Sequence, residues 1–571
     1  MFDSLIRKAR QLITDPVLRR WLIARALGAS PKAPDFTAHH PPYLKNMPPL
    51  AKEAAAPPVA FRELACPPPS SSISIRLPGQ SIELTPGGEE TLFNRPLNDT
   101  EALLAVHRFA WLPLLGDDVD PAWVQAIWSA WRKQYGTPAA GWPWHPYTAA
   151  ERAVNILDFG RRRGLPKPLE DTLAVLAAHG PAIAARLEYF GDHHTSNHLS
   201  NNGRGLYLLG LALGLEACAE RGALIMLEEA PRIFHASGIL CEGSSHYHLL
   251  ATRNYADAWL AARFHKRAEE GPFRKITGKA LSAVPHLVLP GGFPLIGDIS
   301  PDCPPDFLSG LIAGEGGWVS LLDEDSRDAL INLRESCLGA FSEDLRAAGW
   351  LKAGFGPWSG LWHAAPGGWS QMPGHGHQDC GGFELHYLNE PLFVDPGRGA
   401  YGDSGEAALY RSARAHNTLL VDDKDPYPPN KPFYDSRFRR LVGGPPPELH
   451  RDANSVTLNH HGFTRLGGVG ALTRNWRFSD SAMIIDDRVD GVTARKITRL
   501  FHTPLAAAKD KSSVILTGDN RRFRLSAGEA DPVLRPATQW SAYGKGRLIA
   551  VIEINDEAGL PWSSTLTVEA L

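Results

Sequence analysis

Phe383–Asp395, FELHYLNEPLFVD, alternates apolar and polar side chains, whereas Glu101–Leu115, EALLAVHRFAWLPLL, repeats its apolar residues every three or four positions. A period of two marks a half-buried strand, and spacings of three and four mark an amphipathic helix. Outward from the first stretch the two-residue period continues through SVTLNHH (455–461), NWRFSDSAMIIDDRV (475–489), SSVILTGDNRRFRLSAG (512–528) and GRLIAVIEI (546–554). Asn, Gly and Asp stand at the turns, as an antiparallel sheet requires. Toward the N-terminus the helical spacing recurs in PAWVQAIWSAWRKQY (121–135), TAAERAVNILDFGRRR (148–163), EDTLAVLAAHGPAIAARLEYF (170–190), NNGRGLYLLGLALGLEACAE (201–220) and RNYADAWLAARFHKRAEE (253–270). Gly and Pro punctuate these segments, predicting helical hairpins. The chain therefore reads as multidomain α+β: an all-helical domain over 91–355, then an antiparallel β-sandwich over 356–571. Residues 1–90 form a lead-in, with a basic N-terminal helix followed by Pro-rich pieces such as CPPPSSS and the strand-like SISIRL.

A length of 571 residues exceeds the size at which one core stops growing, in agreement with two domains. The 59 Lys and Arg are balanced by 62 Asp and Glu, so no general positive field exists to recruit nucleic acid. Six scattered cysteines without a CxxC pair point to reduced thiols. The longest apolar run, LYLLGLALGLEAC from Leu206, is too short to cross a bilayer and contains Glu216, which predicts no transmembrane segment. Arg7, Lys8 and Arg10 interrupt the N-terminal apolar stretch, so no secretory signal is recognised. A cytoplasmic location is the expectation, with the periplasm as the alternative, and the basic helix is expected to dock on its own protein.

Three clusters carry chemistry. In SNHLSNNGRG, Asn197 and Asn201 share one helix face and His198 and Asn202 another, so this polar stripe either caps the apolar helix or meets a ligand. In EGSSHYH, His246, Tyr247 and His248 point in different directions, so one or two at most can face a site. In PGHGHQD, His375 and His377 lie on one face of an extended segment. With Asp395 and His416 they make a set suited to tetrahedral Zn²⁺, or else surface histidines. Trp111, Trp123, Trp128, Trp131, Trp142 and Trp144 crowd one region, either stacking on sugar rings or filling a core.

These clusters, in this order, resemble the heparinase II/III family of polysaccharide lyases and related alginate lyases. The resemblance runs from about Phe93 onward through TLFNRPLND, GWPWHPYTAAERAVNIL, SNHLSNNGRG, EGSSHYH, PGHGHQD, FVDPGRGAYG and SARAHNTLLVDD. It implies an incomplete (α/α) toroid followed by the β-sandwich, and an acidic polysaccharide or oligosaccharide as substrate. Asn197 and His198 would then neutralise the substrate carboxylate, with Tyr247 and His375 as the proton-transfer pair. His377, Asp395 and His416 would hold a structural zinc ion. Arg152, Asn201, Asn202, Arg204, His246 and Trp144 are the expected substrate-binding residues, with Arg152 or Arg204 as a cation that lowers the Tyr247 phenol. The reaction implied is β-elimination from a uronate, in bacterial surface polysaccharide metabolism. A uronosyl C5-epimerase and a non-catalytic glycan-binding protein are the alternatives, whereas a glycoside hydrolase would call for paired carboxylates.

Overall fold

The computed structural model describes residues 13, 16–29, 40–97, 99–191, 195–338, 345–368, 374–428, 441 and 443–571. Helix α1 (Pro16–Ala26) forms within the basic N-terminal segment, and its Trp21 is buried in the core of the sheet region, as docking on the same chain predicts. Most of the segment before it lies outside the described residues.

Among the described residues nine longer helices follow: α2 (Thr100–Arg108), α3 (Pro121–Tyr135), α4 (Pro146–Arg163), α5 (Leu169–Ala184), α6 (Asn197–Leu213), α7 (Glu216–Ile233), α8 (Ser245–Phe264), α9 (Glu270–Ala283) and α10 (Glu324–Cys337). The central one is α6, whose side chains are buried nearly all round, so it reads as an apolar helix enclosed by others rather than a surface helix. It packs on α4 and α8 and most intimately on α7. Small residues make that approach possible. A Cβ added at Gly222 of α7 would collide with the Tyr207 nitrogen, and one at Gly205 would meet the Ala150 Cβ on α4 at 2.5 Å. The lead-in completes this core, because Ile75 and Leu77 of β1 (Ile73–Leu77) and Ile82 and Leu84 of β2 (Gln80–Leu84) are buried with Trp111, Trp123 and Trp128.

The C-terminal region is antiparallel sheet throughout its named strands. The first sheet is a meander of β3 (Trp350–Phe355), β4 (Trp358–His363), β5 (Gly382–Tyr387) and β6 (Glu390–Phe393). The next strands are β7 (Leu419–Val421), β8 (Glu448–Arg451), β9 (Ser455–His460), β10 (Val469–Phe478), β11 (Ala482–Gly491) and β12 (Ala494–Thr503). They are followed by β13 (Ala506–Asp510), β14 (Ser513–Thr517), β15 (Arg522–Ser526), β16 (Val533–Ala542), β17 (Lys545–Gly559) and β18 (Trp562–Ala570). One sheet has the order β8-β9-β10-β11-β18-β15-β14-β13 and another β16-β17-β12-β7. Trp358, Trp362, Phe383, Trp476 and Phe501 fill the space between layers. The helical and sheet regions meet through a separate apolar cluster in which Leu287, Leu289 and Ile296 cover Trp350 and Leu361.

Because the α6–α7 contact has no room for a methyl group, Gly222→Ala should cost about 1–3 kcal/mol, the usual penalty of overpacking. A fall in the thermal midpoint of the full chain checks this, and an unchanged midpoint would show that the two helices can separate without loss.

Candidate active site

Helices α6 and α8 begin side by side. Ser196 caps α6 by accepting from the His198 backbone N–H, which places Asn197 and His198 in its first turn. Ser244 caps α8 by accepting from the Tyr247 backbone N–H at 3.0 Å, and its hydroxyl donates to the Asp298 carbonyl at 2.8 Å. The start of a 17-residue helix favours negative charge, through both its free N–H groups and its dipole. Tyr247 and His375 stack ring on ring, with centroids 3.5 Å apart and planes 13° from parallel.

Two carboxylates hold this assembly. Glu242 accepts from the Asn197 backbone N–H at 2.7 Å and from its side-chain amide at 2.9 Å, and lies 3.4 Å from His375 Nε2. Asp298 faces His375 Nδ1 at 3.2 Å and His377 Nε2 at 2.9 Å, and accepts from Arg398 at 2.9 Å. Burial would raise the Asp298 carboxyl, but the bonds to His375 and His377 and the charge of Arg398 hold it well below the usual range. A third carboxylate, Glu188, is the partner of both members of one predicted helix face: it accepts from His198 Nδ1 at 2.7 Å and from the Asn202 amide at 3.0 Å. Burial works against a charged His198, yet Glu188 overrides it and raises the imidazole above its ordinary value. His198 remains 42% exposed, so its ring is available to a ligand.

Tyr247 departs from the expected environment. Its hydroxyl lies 2.7 Å from that of Tyr401, which in turn donates to the Ile299 carbonyl. Burial, followed by the neighbouring Tyr147, pushes the phenol well above its usual pKa, and only the Tyr401 bond favours the phenolate among the leading influences. The anticipated cation is absent from its surroundings. Arg152 lies in the core, donating to His179 at 3.0 Å and to the Pro143 carbonyl at 2.7 Å, with its guanidinium 4.0 Å from the Trp131 ring centroid. Arg204 is sequestered between Glu151 and Asp257.

Other expected substrate contacts also turn inward. Trp144 is 1% exposed and donates to the Tyr135 carbonyl, whereas Trp142, two residues earlier, is 47% exposed. A WPW turn shows one indole to solvent and hides the other, which composition cannot tell apart. His246 is fully buried, accepts from the Ser300 N–H, and is kept neutral with a pKa lowered to about 3 by burial and by His375. Asn201 and Asn202 are buried, the latter serving Glu188. Glu188, Glu242, Asp298 and Tyr401 went unassigned in the sequence because their partners lie 10 to 154 residues away. The one local signal was an acid standing alone among apolar neighbours, as in LCEGSS and LIGDIS.

Among the described residues no three acidic, histidine or cysteine side chains converge around a common point as metal ligands would. Two imidazoles nevertheless fit: His377 Nδ1 and His416 Nε2 are buried without a hydrogen-bond partner among those residues, and their rings are 5.2 Å apart. Asp395 stands behind His416, accepting from its Nδ1 at 2.7 Å and from the Gly397 N–H at 3.0 Å. A carboxylate in that position orients a ligating histidine.

This is a helical toroid followed by an antiparallel sandwich, with Asn197, His198 and Tyr247 at helix starts and His375 brought over them from the second half of the chain. Residues 340–554 match the family described as Heparinase II/III-like, C-terminal. The solved structure of a heparinase III is similar over 84% of this chain and 78% of its own, with TM-score 0.61 and 16% identity. The heparinase III gene product BT4657 is similar over 83% and 80%, with TM-score 0.57 and 17% identity. A mutant of the heparan sulfate lyase HepC from Pedobacter heparinus matches over 83% and 78%, with TM-score 0.54 and 16% identity. No curated protein sequence matches the chain. The family match covers the C-terminal region, and over the rest of the chain the likeness to these heparinase III and heparan sulfate lyase structures is one of fold.

The linkage sign of the His198–Glu188 pair follows from its shifts. The raised His198 contributes stability fully below about pH 6.5, lost as pH rises through its folded value. The depressed Glu188, whose lowering by His198 and Asn202 overcomes burial, contributes above its ordinary range and loses this as pH falls through its folded value. Glu188→Gln should therefore lower the His198 pKa, read from its imidazole NMR signals against pH; an unmoved titration would show that Glu188 does not hold the charge.

Proposed function

We propose that the protein cleaves a uronic-acid-containing polysaccharide or oligosaccharide by β-elimination. The observation that carries this is the stacked Tyr247–His375 pair beside the start of α6. A uronate carboxylate meets the Asn197 amide and the charged His198 there, where developing enediolate charge is stabilised by donors already in place. His375 takes the C5 proton, and the imidazolium formed is received by Glu242 and Asp298. The C5–H electron pair becomes the C4=C5 double bond as the C4–O4 bond breaks. Tyr247, kept protonated by burial, supplies the proton to O4, and the Tyr401 hydroxyl supports the phenolate left behind. Exchange with water restores both rings. The similarity to heparinase III structures and the heparan sulfate lyase supports an acidic glycan as substrate. A role in bacterial surface polysaccharide metabolism belongs to the same proposal.

The test is absorbance near 232 nm with heparan sulfate, hyaluronan, alginate and bacterial exopolysaccharides. A rise supports elimination, whereas exchange of C5 hydrogen with solvent and no rise would identify an epimerase instead. With the polymer that responds, Tyr247→Phe should lose about 10²–10⁴-fold in turnover, the usual worth of a positioned acid or base, while binding persists. Unchanged turnover would remove Tyr247 from the mechanism.

We also propose a structural zinc ion held by His377 and His416, with Asp395 orienting His416 from behind, on the strength of the two orphaned nitrogens. When bound it would cross-link the segments carrying His375 and His416. Elemental analysis should find about one zinc per chain and much less in His416→Ala, together with a lower thermal midpoint. Zinc-free wild-type protein purified without chelators would end the assignment.

A further inference from the structure

A cavity of about 610 Å³ lies in the bore of the helical region, away from Asn197, His198, Tyr247 and His375, none of which lines it. Helices α4, α6 and α8 carry Tyr147, Asn197 and Tyr247 near their starts, and the lining residues Arg161, Leu208 and Phe264 lie three or more turns further on. Between the two spaces sits a layer of ion pairs: Arg204 with Glu151 and Asp257, and Arg108 with Asp302 at 2.5 Å. The far wall is apolar, formed by side chains such as Phe61, Leu260 and Phe264, and Phe264 is 62% exposed.

Among the described residues that line this space, Arg161 stands apart from the paired charges. Arg204 is satisfied as described, and Arg162 is shared by Asp117 and Asp158. Arg161 makes no hydrogen bond or ion pair with any described residue. Its side chain is exposed and lines the cavity. The enclosure pushes its guanidinium pKa down, with Asp158, Asp257 and Asp323 near enough to oppose the shift but not to bond. A planar fork of five donors left without acceptors beside apolar walls is matched by a carboxylate on a hydrocarbon body. The volume falls within the range of about 300–1,000 Å³ typical of small-molecule sites.

We propose that this bore is a second ligand site, separate from the catalytic cleft, for an organic monoanion with an apolar body, its carboxylate held by Arg161 and its chain by Phe264 and its neighbours. The probes are decanoate and decanol, titrated calorimetrically into the full-length protein. Decanoate should bind saturably at one site per chain and at least tenfold more tightly than decanol. Arg161→Met should remove that preference, Phe264→Ala should weaken decanoate several-fold, and Tyr247→Phe should leave its binding unchanged. Absence of saturable binding, equal affinity for the two probes, or a folded Arg161→Met protein that keeps the preference would overturn the proposal. If Arg161→Met does not fold, Phe264→Ala decides alone: undiminished decanoate binding would place the ligand elsewhere.

Discussion

The site depends on the Asp298 carboxylate. It belongs to the helical region, yet both its oxygens are occupied by side chains from the other half of the chain: His375 on one, His377 and Arg398 on the other. Its backbone takes part as well, with its N–H donating to the His375 carbonyl and its own carbonyl accepting from Ser244 at the cap of α8. A carboxylate buried to this degree is costly alone and favourable only when its lone pairs are met in good geometry. Here the cost is offset by a guanidinium and two imidazoles, which tie the sheet region to the helical region with His375 over Tyr247.

Around that anchor, charge is divided by function. His198, at the open side, has its pKa raised by a buried Glu188 and presents its ring outward. Tyr247, at the enclosed side, is kept neutral by burial and by the neighbouring Tyr147 rather than activated by an arginine. A raised imidazole and a neutral phenol are thus set up by opposite means, carboxylate pairing in one case and desolvation in the other. The arginines that sequence suggested for the second task serve the helix interior, where Arg152 stacks on Trp131 and Arg204 joins α6 to α4 and α8.

The change of period near residue 356 was legible because periodicity is a local property, and the structure shows helices before it and antiparallel strands after it, with β3 beginning slightly earlier at Trp350. The pairing of His198 with Asn202 was legible for the same reason, since helix geometry alone puts them over one another. What sequence did not disclose is which polar residues face inward. Trp142 and Trp144 differ by 46 percentage points in exposure within one turn. Asp395 backs His416 in a way that spacing does not distinguish from direct ligation. Such outcomes are decided by partners distant in the chain, and no window of residues contains them.

The pieces of the site are widely separated along the polypeptide, with Asn197, Glu242 and Asp298 in the first part and His375, Arg398 and Tyr401 well beyond it. Domains generally fold in the order in which they emerge during synthesis. The helical half therefore leaves the ribosome with its carboxylates prepared but without the imidazole they hold. On the proposed mechanism no proton can be drawn from a uronate until the sheet half arrives, so turnover would report the assembly of both halves.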